Sequence, residues 1–336
     1  MTALRLCVAG VGAIGGTLAA CLARGGASVS LIARGQTLSR LRSQGLTLTE
    51  SGTAFTCHPP AAERAAGPVD VLFLTVKSHQ LSSLLPMVLP AIGRDTLIVP
   101  IVNGMPWWMA TDDAPAAFRA LPPLLDPTGQ LAAHMPSRQI AGCVAYAFSS
   151  SEAPGQVHSL RPMRLVLGLV APDMPSDMPG GDGRLNTLAA LLNTCGIDAS
   201  VTGSIHAEVW TKLVSNVASN PLSVITGATL GTMATDKATR AIVHATLGEA
   251  MAVGMACGIP TLKPAEAICA MMAAAGPHQT SMLQDFRTGR RLETVAIGDA
   301  LVALARALGV PTPVIDTLLG LVAFQRHSLP LKEQTS

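Results

Sequence analysis

Lys212, Asn216 and Asn220 recur every four residues in the segment EVWTKLVSNVASNPLS, residues 208–223, whose other positions are largely Val, Leu, Ala and Trp. A helix puts all three on one face. An ammonium can stabilise developing negative charge and donate a proton, and carboxamides can orient a polar substrate without titrating. An apolar core has no use for such a row, because a buried polar group without a partner costs about 1 to 3 kcal/mol. The row therefore suits a ligand. The alternative is a solvated stripe in which Glu208 and Lys212 form an ordinary i,i+4 pair. Taken alone, the row leaves both readings open.

A second candidate lies at the start of the chain. Arg5 to Ala9 (RLCVA) reads as a short buried strand, and Gly10-Val11-Gly12-Ala13-Ile14-Gly15 opens a helical pattern that runs to about Arg24. This places G-x-G-x-x-G between strand and helix, where it can bind a dinucleotide. Gly10 permits the tight turn, Gly12 lets the backbone approach a pyrophosphate, and Gly15 allows close helix–strand packing, with the phosphates at the helix N-terminus. A glycine-rich turn without a ligand is the competing reading. Ser28 to Ala33 reads as the second strand and is followed by Arg34, with no Asp or Glu between Gly16 and Thr49. An acidic residue there would suit NAD, whereas the forked donors of Arg34 suit a 2′-phosphate, so NADP(H) is the expected cofactor.

Val69 to Val76 and Leu97 to Val102 read as further buried parallel strands, and Lys77 and Asn103-Gly104 follow them. Ligands of open parallel sheets sit beyond the carboxyl ends of the strands, so the glycine loop, Arg34, Lys77 and Asn103 fall on one expected edge. Residues 139–169 then alternate in short stretches, with a turn at Glu152 to Gly155, as antiparallel strands extending the sheet would. Ala171 to Gly183 reads as a loop and Leu185 to Cys195 as a short helix closed by Gly196. Beyond Ser204 nearly every segment has helical spacing. The expected architecture is an α/β Rossmann-type domain over residues 1–203, its parallel sheet extended by antiparallel strands, followed by an all-α domain over residues 204–336. The polar stretch from His278 to Glu293 lies between two of those helices, where functional residues commonly sit; the alternative is that Ser281 caps a helix, Asp285 supports its first turn and Arg287, Arg290 and Arg291 are solvated.

Length and composition agree with two domains and a small-molecule ligand. The chain has 336 residues, a net charge of +2, only 13% charged residues and one Tyr, which gives no electrostatic or stacking footprint for nucleic acid and no basic patch for a membrane. Seven scattered cysteines without a C-x-x-C pair suit a reducing cytoplasm, and eight dispersed histidines without H-x-x-x-H give no metal site. The uncharged run Leu6 to Ala23 ends near Leu18-Ala19-Ala20-Cys21, which looks like a lipoprotein cleavage box. Gly10, Gly12, Gly15 and Gly16 would each weaken a signal helix by roughly 0.8 to 1 kcal/mol relative to Ala, so a functional loop explains the run better. Apolar helices with few charges permit a homodimer without requiring one.

GVGAIGG, Arg34 after the second strand, VKSHQ, VNGM, EVWTKLVSNVASNPLS and TSMLQDFRTGRRLE occur in the order found in ketopantoate reductases, and the sequence resembles that family over nearly its whole length. The resemblance implies NADPH-dependent reduction of a 2-oxo acid, 2-dehydropantoate to pantoate in pantothenate biosynthesis. It implies Lys212 as general acid, Glu293 on the substrate beside it, Asn216 and Asn220 at the substrate's hydroxyl and carbonyl region, and Ser281 at its carboxylate. Gly10, Gly12, Ala13, Ile14, Gly15 and Arg34 would hold the cofactor, with Lys77 and Asn103 at its nicotinamide end. A paralogue acting on a related 2-oxo or 3-hydroxy acid, or a non-catalytic NADP(H)-binding protein, would share most of these motifs. Met105-Pro106-Trp107-Trp108 departs from the smaller residues of the family, and two indoles there are expected to reshape the substrate pocket. Pro221 is expected to place Asn220 at a kink.

Overall fold

The computed structural model describes residues 4–111, 114–171 and 182–328. In chain order the elements are β1 (Leu6–Ala9), α1 (Ala13–Arg24), β2 (Val29–Ile32), α2 (Gly35–Gln44), β3 (Leu46–Glu50), β4 (Thr53–Cys57), β5 (Ala61–Ala62), β6 (Val71–Leu74), α3 (Leu81–Val88), β7 (Leu97–Pro100), α4 (Pro122–Leu125), α5 (Gln130–His134), β8 (Ala141–Tyr146), β9 (Ser149–Ala153), β10 (Gln156–Ser159), β11 (Arg164–Leu169), α6 (Asp182–Thr194) and β12 (Asp198–Val201). Helices α7 (Ile205–Thr226), α8 (Leu230–Thr235), α9 (Lys237–Ala256), α10 (Ala265–Ala274), α11 (Ser281–Arg287), α12 (Ala300–Leu308) and α13 (Pro313–Ser328) follow. The chain divides into two compact units, residues 1–102 with 128–205, and residues 103–127 with 206–336. Against a single boundary at 203/204, the segment 103–127 leaves the first unit and joins the helical one.

The first unit holds a five-stranded sheet in the order β5-β2-β1-β6-β7, parallel throughout. Every residue of β1, β6 and β7 is buried, as expected of strands covered on both faces. Pro100 ends β7, opposite Leu74, where its missing N–H interrupts no longer ladder. The apolar run Leu6 to Ala23 is thus the central strand and first helix, and burial pushes the thiols of Cys7 and Cys21 up to about 11.

The antiparallel strands do more than extend that sheet. β8, β11 and β12 form a three-stranded sheet joined to the parallel one by a bridge between Ile98 and Ile140. β9 and β10 instead join β3 and β4 in a separate sheet of order β4-β3-β10-β9. The β3–β4 hairpin has no counterpart among the expected strands. Its two-residue turn is Ser51-Gly52, both with positive φ, the I′ geometry that matches strand twist. Helix α1 is buried from Gly15 to Leu22 because this second sheet covers the side that the parallel sheet leaves open. At Gly16 a Cβ would lie 2.7 Å from Val157 Cγ1. The expected loop 171–183 lies mostly outside the described residues.

Buried polar side chains in the first unit are spent on backbone. Gln139 Nε2 donates to the carbonyls of Gly93, Arg94 and Thr96 at 2.7, 3.1 and 3.1 Å, and Thr96 Oγ1 donates to the Val69 carbonyl at 2.6 Å. The second unit closes its helix ends in the same way. Asp236 accepts from the backbone N–H of Ala238 and Thr239, and the Glu249 carboxylate, borne on α9, accepts from Val314 and Ile315 at the start of α13. Gln139→Leu should lower the unfolding free energy by about 2 kcal/mol in urea titration, because three carbonyls lose a shared buried donor.

Candidate functional site

The first cluster is built by the ends of β1 and β6. Gly10 has φ +102°, and a Cβ there would stand 2.6 Å from Val76 Cγ1 and 2.9 Å from the Val76 nitrogen. A Cβ on Gly15 would collide with the Gly10 carbonyl oxygen and the Thr75 hydroxyl. That hydroxyl donates to the Gly10 carbonyl at 2.6 Å, so Thr75 locks the loop to the neighbouring strand. The sequence offered no signal for Thr75 beyond its place at a strand end.

Gly12 is different. It is exposed, its Cβ direction meets nothing within 4 Å, and it begins α1 without a side-chain cap or an acidic residue in the first turn. The first N–H groups of a helix have no intrahelical acceptor and carry its positive end. Open space over backbone donors fits a pyrophosphate, with Ala13 and Ile14 as the first donors. Arg34 is exposed at the N-cap of α2, two residues beyond Ile32, whose carbonyl accepts the Gly10 N–H at 3.0 Å. Lys77 precedes a short turn, Ser78–Gln80, in which Gln80 Oε1 accepts the Lys77 N–H at 3.2 Å. The loop, Arg34 and Lys77 are therefore gathered at the carboxyl ends of adjacent strands.

The second cluster belongs to the helical unit. From Ile205 to Ile225 no residue of α7 is exposed, and Glu208, Lys212, Ser215 and Asn216 form its half-buried strip. Asn220 is 3% exposed, and Pro221 lies inside the helix without ending it. The row is thus no solvated stripe. Ser219 Oγ donates to the Ser215 carbonyl and lies 3.4 Å from Asn220 Oδ1, and Ser223 Oγ donates to the Asn220 carbonyl at 2.7 Å.

Around α7 stand the other predicted residues. Ser281 is exposed at the first position of α11, but the cap is Thr280, whose hydroxyl accepts the Leu283 N–H. A Ser/Thr pair at a helix start leaves the choice of cap to the backbone conformation, which is extended at Thr280. Thr280 Oγ1 also lies 2.6 Å from Ser223 Oγ, tying α11 to α7. Asp285 is buried and ion-paired with Arg290 at 3.2 Å, and Arg287 donates to the Gly227 carbonyl, so these two arginines are engaged within the fold. Glu293 is 8% exposed and precedes a π-helical turn, Val295–Asp299. Asn103 enters this cluster through its neighbours: Met105 donates its N–H to the Ala296 carbonyl at 2.7 Å, and Gly104, at φ +80°, leaves only 2.5 Å between a would-be Cβ and that oxygen.

Trp107 and Trp108 are core side chains rather than open pocket walls, 3% and 2% exposed. Trp108 meets the His206 ring edge-on at 5.3 Å, and burial holds the His206 imidazole below its ordinary pKa.

A parallel sheet with a glycine loop between its first strand and first helix, followed by a helical unit with a half-buried lysine and Asn216 on one helix, is the construction of a dinucleotide-dependent oxidoreductase. The comparisons name it further. Residues 6–172 match the family profile described as ketopantoate reductase PanE/ApbA, and residues 204–326 match that of its C-terminal part. The chain is 33% identical to the 2-dehydropantoate 2-reductase of Mesorhizobium japonicum, covering 95% of this chain and 97% of that protein. A crystal structure assigned as a ketopantoate reductase of Ralstonia solanacearum MolK2 is 36% identical, with a TM-score of 0.88 over 97% of this chain and 99% of that one. D-mandelate dehydrogenase, in a structure with NADH and anilino(oxo)acetate, shares the fold at a TM-score of 0.83 and 21% identity, covering 97% and 99% of the two chains. The chain belongs to the ketopantoate reductase family and is an oxidoreductase of the 2-dehydropantoate 2-reductase type. No helix among the described residues is long and apolar enough to cross a membrane.

The two glycines predict opposite phenotypes. Gly12→Ala should unfold within about 0.5 kcal/mol of wild type yet bind the nicotinamide dinucleotide about tenfold more weakly, because the methyl occupies the open space over the backbone donors. Gly15→Ala should lose about 3 kcal/mol of stability through overpacking. Denaturant titration and dinucleotide fluorescence on both variants read the difference.

Proposed function

We propose that the protein reduces 2-dehydropantoate to pantoate with NADPH, in the reducing cytoplasm where its seven free cysteines persist. The observation that carries this reading is the half-buried polar strip of α7, in a chain whose relative at 33% identity is named for that reaction. Lys212 is the general acid: its ammonium faces the carbonyl oxygen, where negative charge develops, and delivers the proton there. Asn216 and Asn220 hold the substrate's hydroxyl and carbonyl region, Ser281 takes its carboxylate, and Glu293 binds substrate beside Lys212. The glycine loop, Gly10 to Gly15, holds the pyrophosphate, Arg34 the 2′-phosphate, and Lys77 and Asn103 belong to the nicotinamide end. The bound cofactor supplies the hydride.

Geometry supports the amide roles physically. Asn220 is buried, its carboxamide oxygen accepts from Ser219 Oγ and its backbone carbonyl from Ser223 Oγ, so the residue is placed before substrate arrives, which reduces the ordering cost of binding. Neither amide titrates, so neither competes with Lys212 for the proton.

Steady-state oxidation of NADPH with 2-dehydropantoate, beside a panel of branched and aryl 2-oxo acids, should give the largest kcat/KM for 2-dehydropantoate; an aryl acid in first place would move the assignment to a paralogous substrate. Lys212→Ala should lower kcat by about 10²- to 10⁴-fold while cofactor affinity holds. For the cofactor, Arg34→Ala should weaken NADPH by about tenfold and leave NADH nearly unchanged, since only the 2′-phosphate loses a partner. Equal loss for both dinucleotides would remove Arg34 from that role.

A further inference from the structure

Three hydroxyl-mediated bonds in the helical unit share one direction. The Leu283 N–H donates to Thr280 Oγ1 at 3.1 Å, Thr280 and Ser223 place their hydroxyl oxygens 2.6 Å apart, and Ser223 Oγ donates to the Asn220 carbonyl at 2.7 Å. Each hydroxyl has one proton. Ser223 uses its proton on Asn220, so the arrangement that satisfies all three bonds has Thr280 donating to Ser223. Every donor and acceptor is then used once, in a relay that runs from the first turn of α11 to the backbone of α7. Both hydroxyl residues are buried, Ser223 at 0% and Thr280 at 4%, where water does not compete and bonds in series polarise one another.

The two ends of the relay are functional neighbours. It terminates on the carbonyl of Asn220, and it begins at the cap whose next residue is Ser281. We infer that Ser223 and Thr280 are positioning residues that hold the backbone carrying the Asn220 carboxamide and the backbone carrying the Ser281 hydroxyl at a fixed separation, and so set the span between the hydroxyl and carboxylate ends of the acid that the site accepts; this rests on the substrate roles proposed above. Neither residue touches the reacting atoms. An apolar pair of the same shape would pack as well, but would leave α11 without a directional tie to α7.

The test uses the full-length enzyme with Ser223→Ala, Thr280→Val, Thr280→Ser and the double variant Ser223→Ala/Thr280→Val. Ser223→Ala keeps the Thr280 cap, so it separates the tie from the stability of α11. KM for 2-dehydropantoate should rise roughly three- to tenfold in Ser223→Ala and in Thr280→Val, with kcat and the KM for NADPH near wild type. Thr280→Ser should behave as wild type, and the double variant should be no worse than Thr280→Val, because either substitution already breaks the relay. An unchanged substrate KM in Ser223→Ala, or fully multiplicative effects in the double variant, would overturn the inference. Should the wild-type chain reduce none of the 2-oxo acids, the functional reading fails on its own, and amide hydrogen exchange still decides the relay. Faster exchange at residues 281–284 in Ser223→Ala supports it, and unchanged exchange sinks it.

Discussion

The contact between α1 and the ends of β1 and β6 sets the geometry on which the first unit depends. Gly10 turns the chain at φ +102°, Gly15 brings the helix down onto the Gly10 carbonyl, and Thr75 binds that carbonyl from the next strand. No side chain fits between these backbones. Because the helix starts here with so little freedom, its far side is placed as well, and Gly16 can receive Val157 of the second sheet. One steric requirement thus holds the helix N-terminus over an open space and also decides where a separate sheet can lie. Gly12, within the same motif, is left out of the packing.

The helical unit meets a different constraint, the partnering of polar groups on an otherwise buried helix. α7 is covered along nearly all its length, so its polar residues cannot rely on bulk water. Thr211, Ser219 and Ser223 turn their hydroxyls back onto carbonyls of α7, at Ala207, Ser215 and Asn220. Thr211 Oγ1 also accepts the Leu262 N–H, and Ser223 engages Thr280. Lys212 and Asn216 remain on the half-buried strip, where a charged group keeps access to solvent. Hydroxyls that anchor, and Lys212 and Asn216 on the half-buried strip, divide the polar work of one helix.

Much of this was legible in advance. Parallel strands announced themselves as short continuous apolar runs, because burial on both faces removes the alternation that a half-exposed strand carries. The glycine loop was legible because it sits between a strand and a helix, and each glycine has a separate steric reason. The hairpin at residues 46–57 was not, since β4 faces solvent and its Ser-Gly turn is a weaker mark than Asn-Gly. Trp107 and Trp108 read as pocket residues by their nearness to Asn103 in sequence, yet the close seat of Gly104 on Ala296 begins a segment that carries both indoles into the core. The alternative reading of Ser281 as a cap failed, because the extended backbone one residue earlier gave the cap to Thr280.

By itself the sequence determined the kinds of element, the glycine loop between strand and helix and the four-residue spacing of Lys212, Asn216 and Asn220, because these are local properties that periodicity and side-chain type carry along the chain. Only the tertiary structure decided whether that row meets solvent or protein, which strands join which sheet, and which residues tie the polar cluster together. Ser223 and Thr280 are 57 residues apart, and Gly104 and Ala296 are farther still. Such pairings depend on how helices settle against one another after their apolar faces are buried. No spacing within a single segment encodes them.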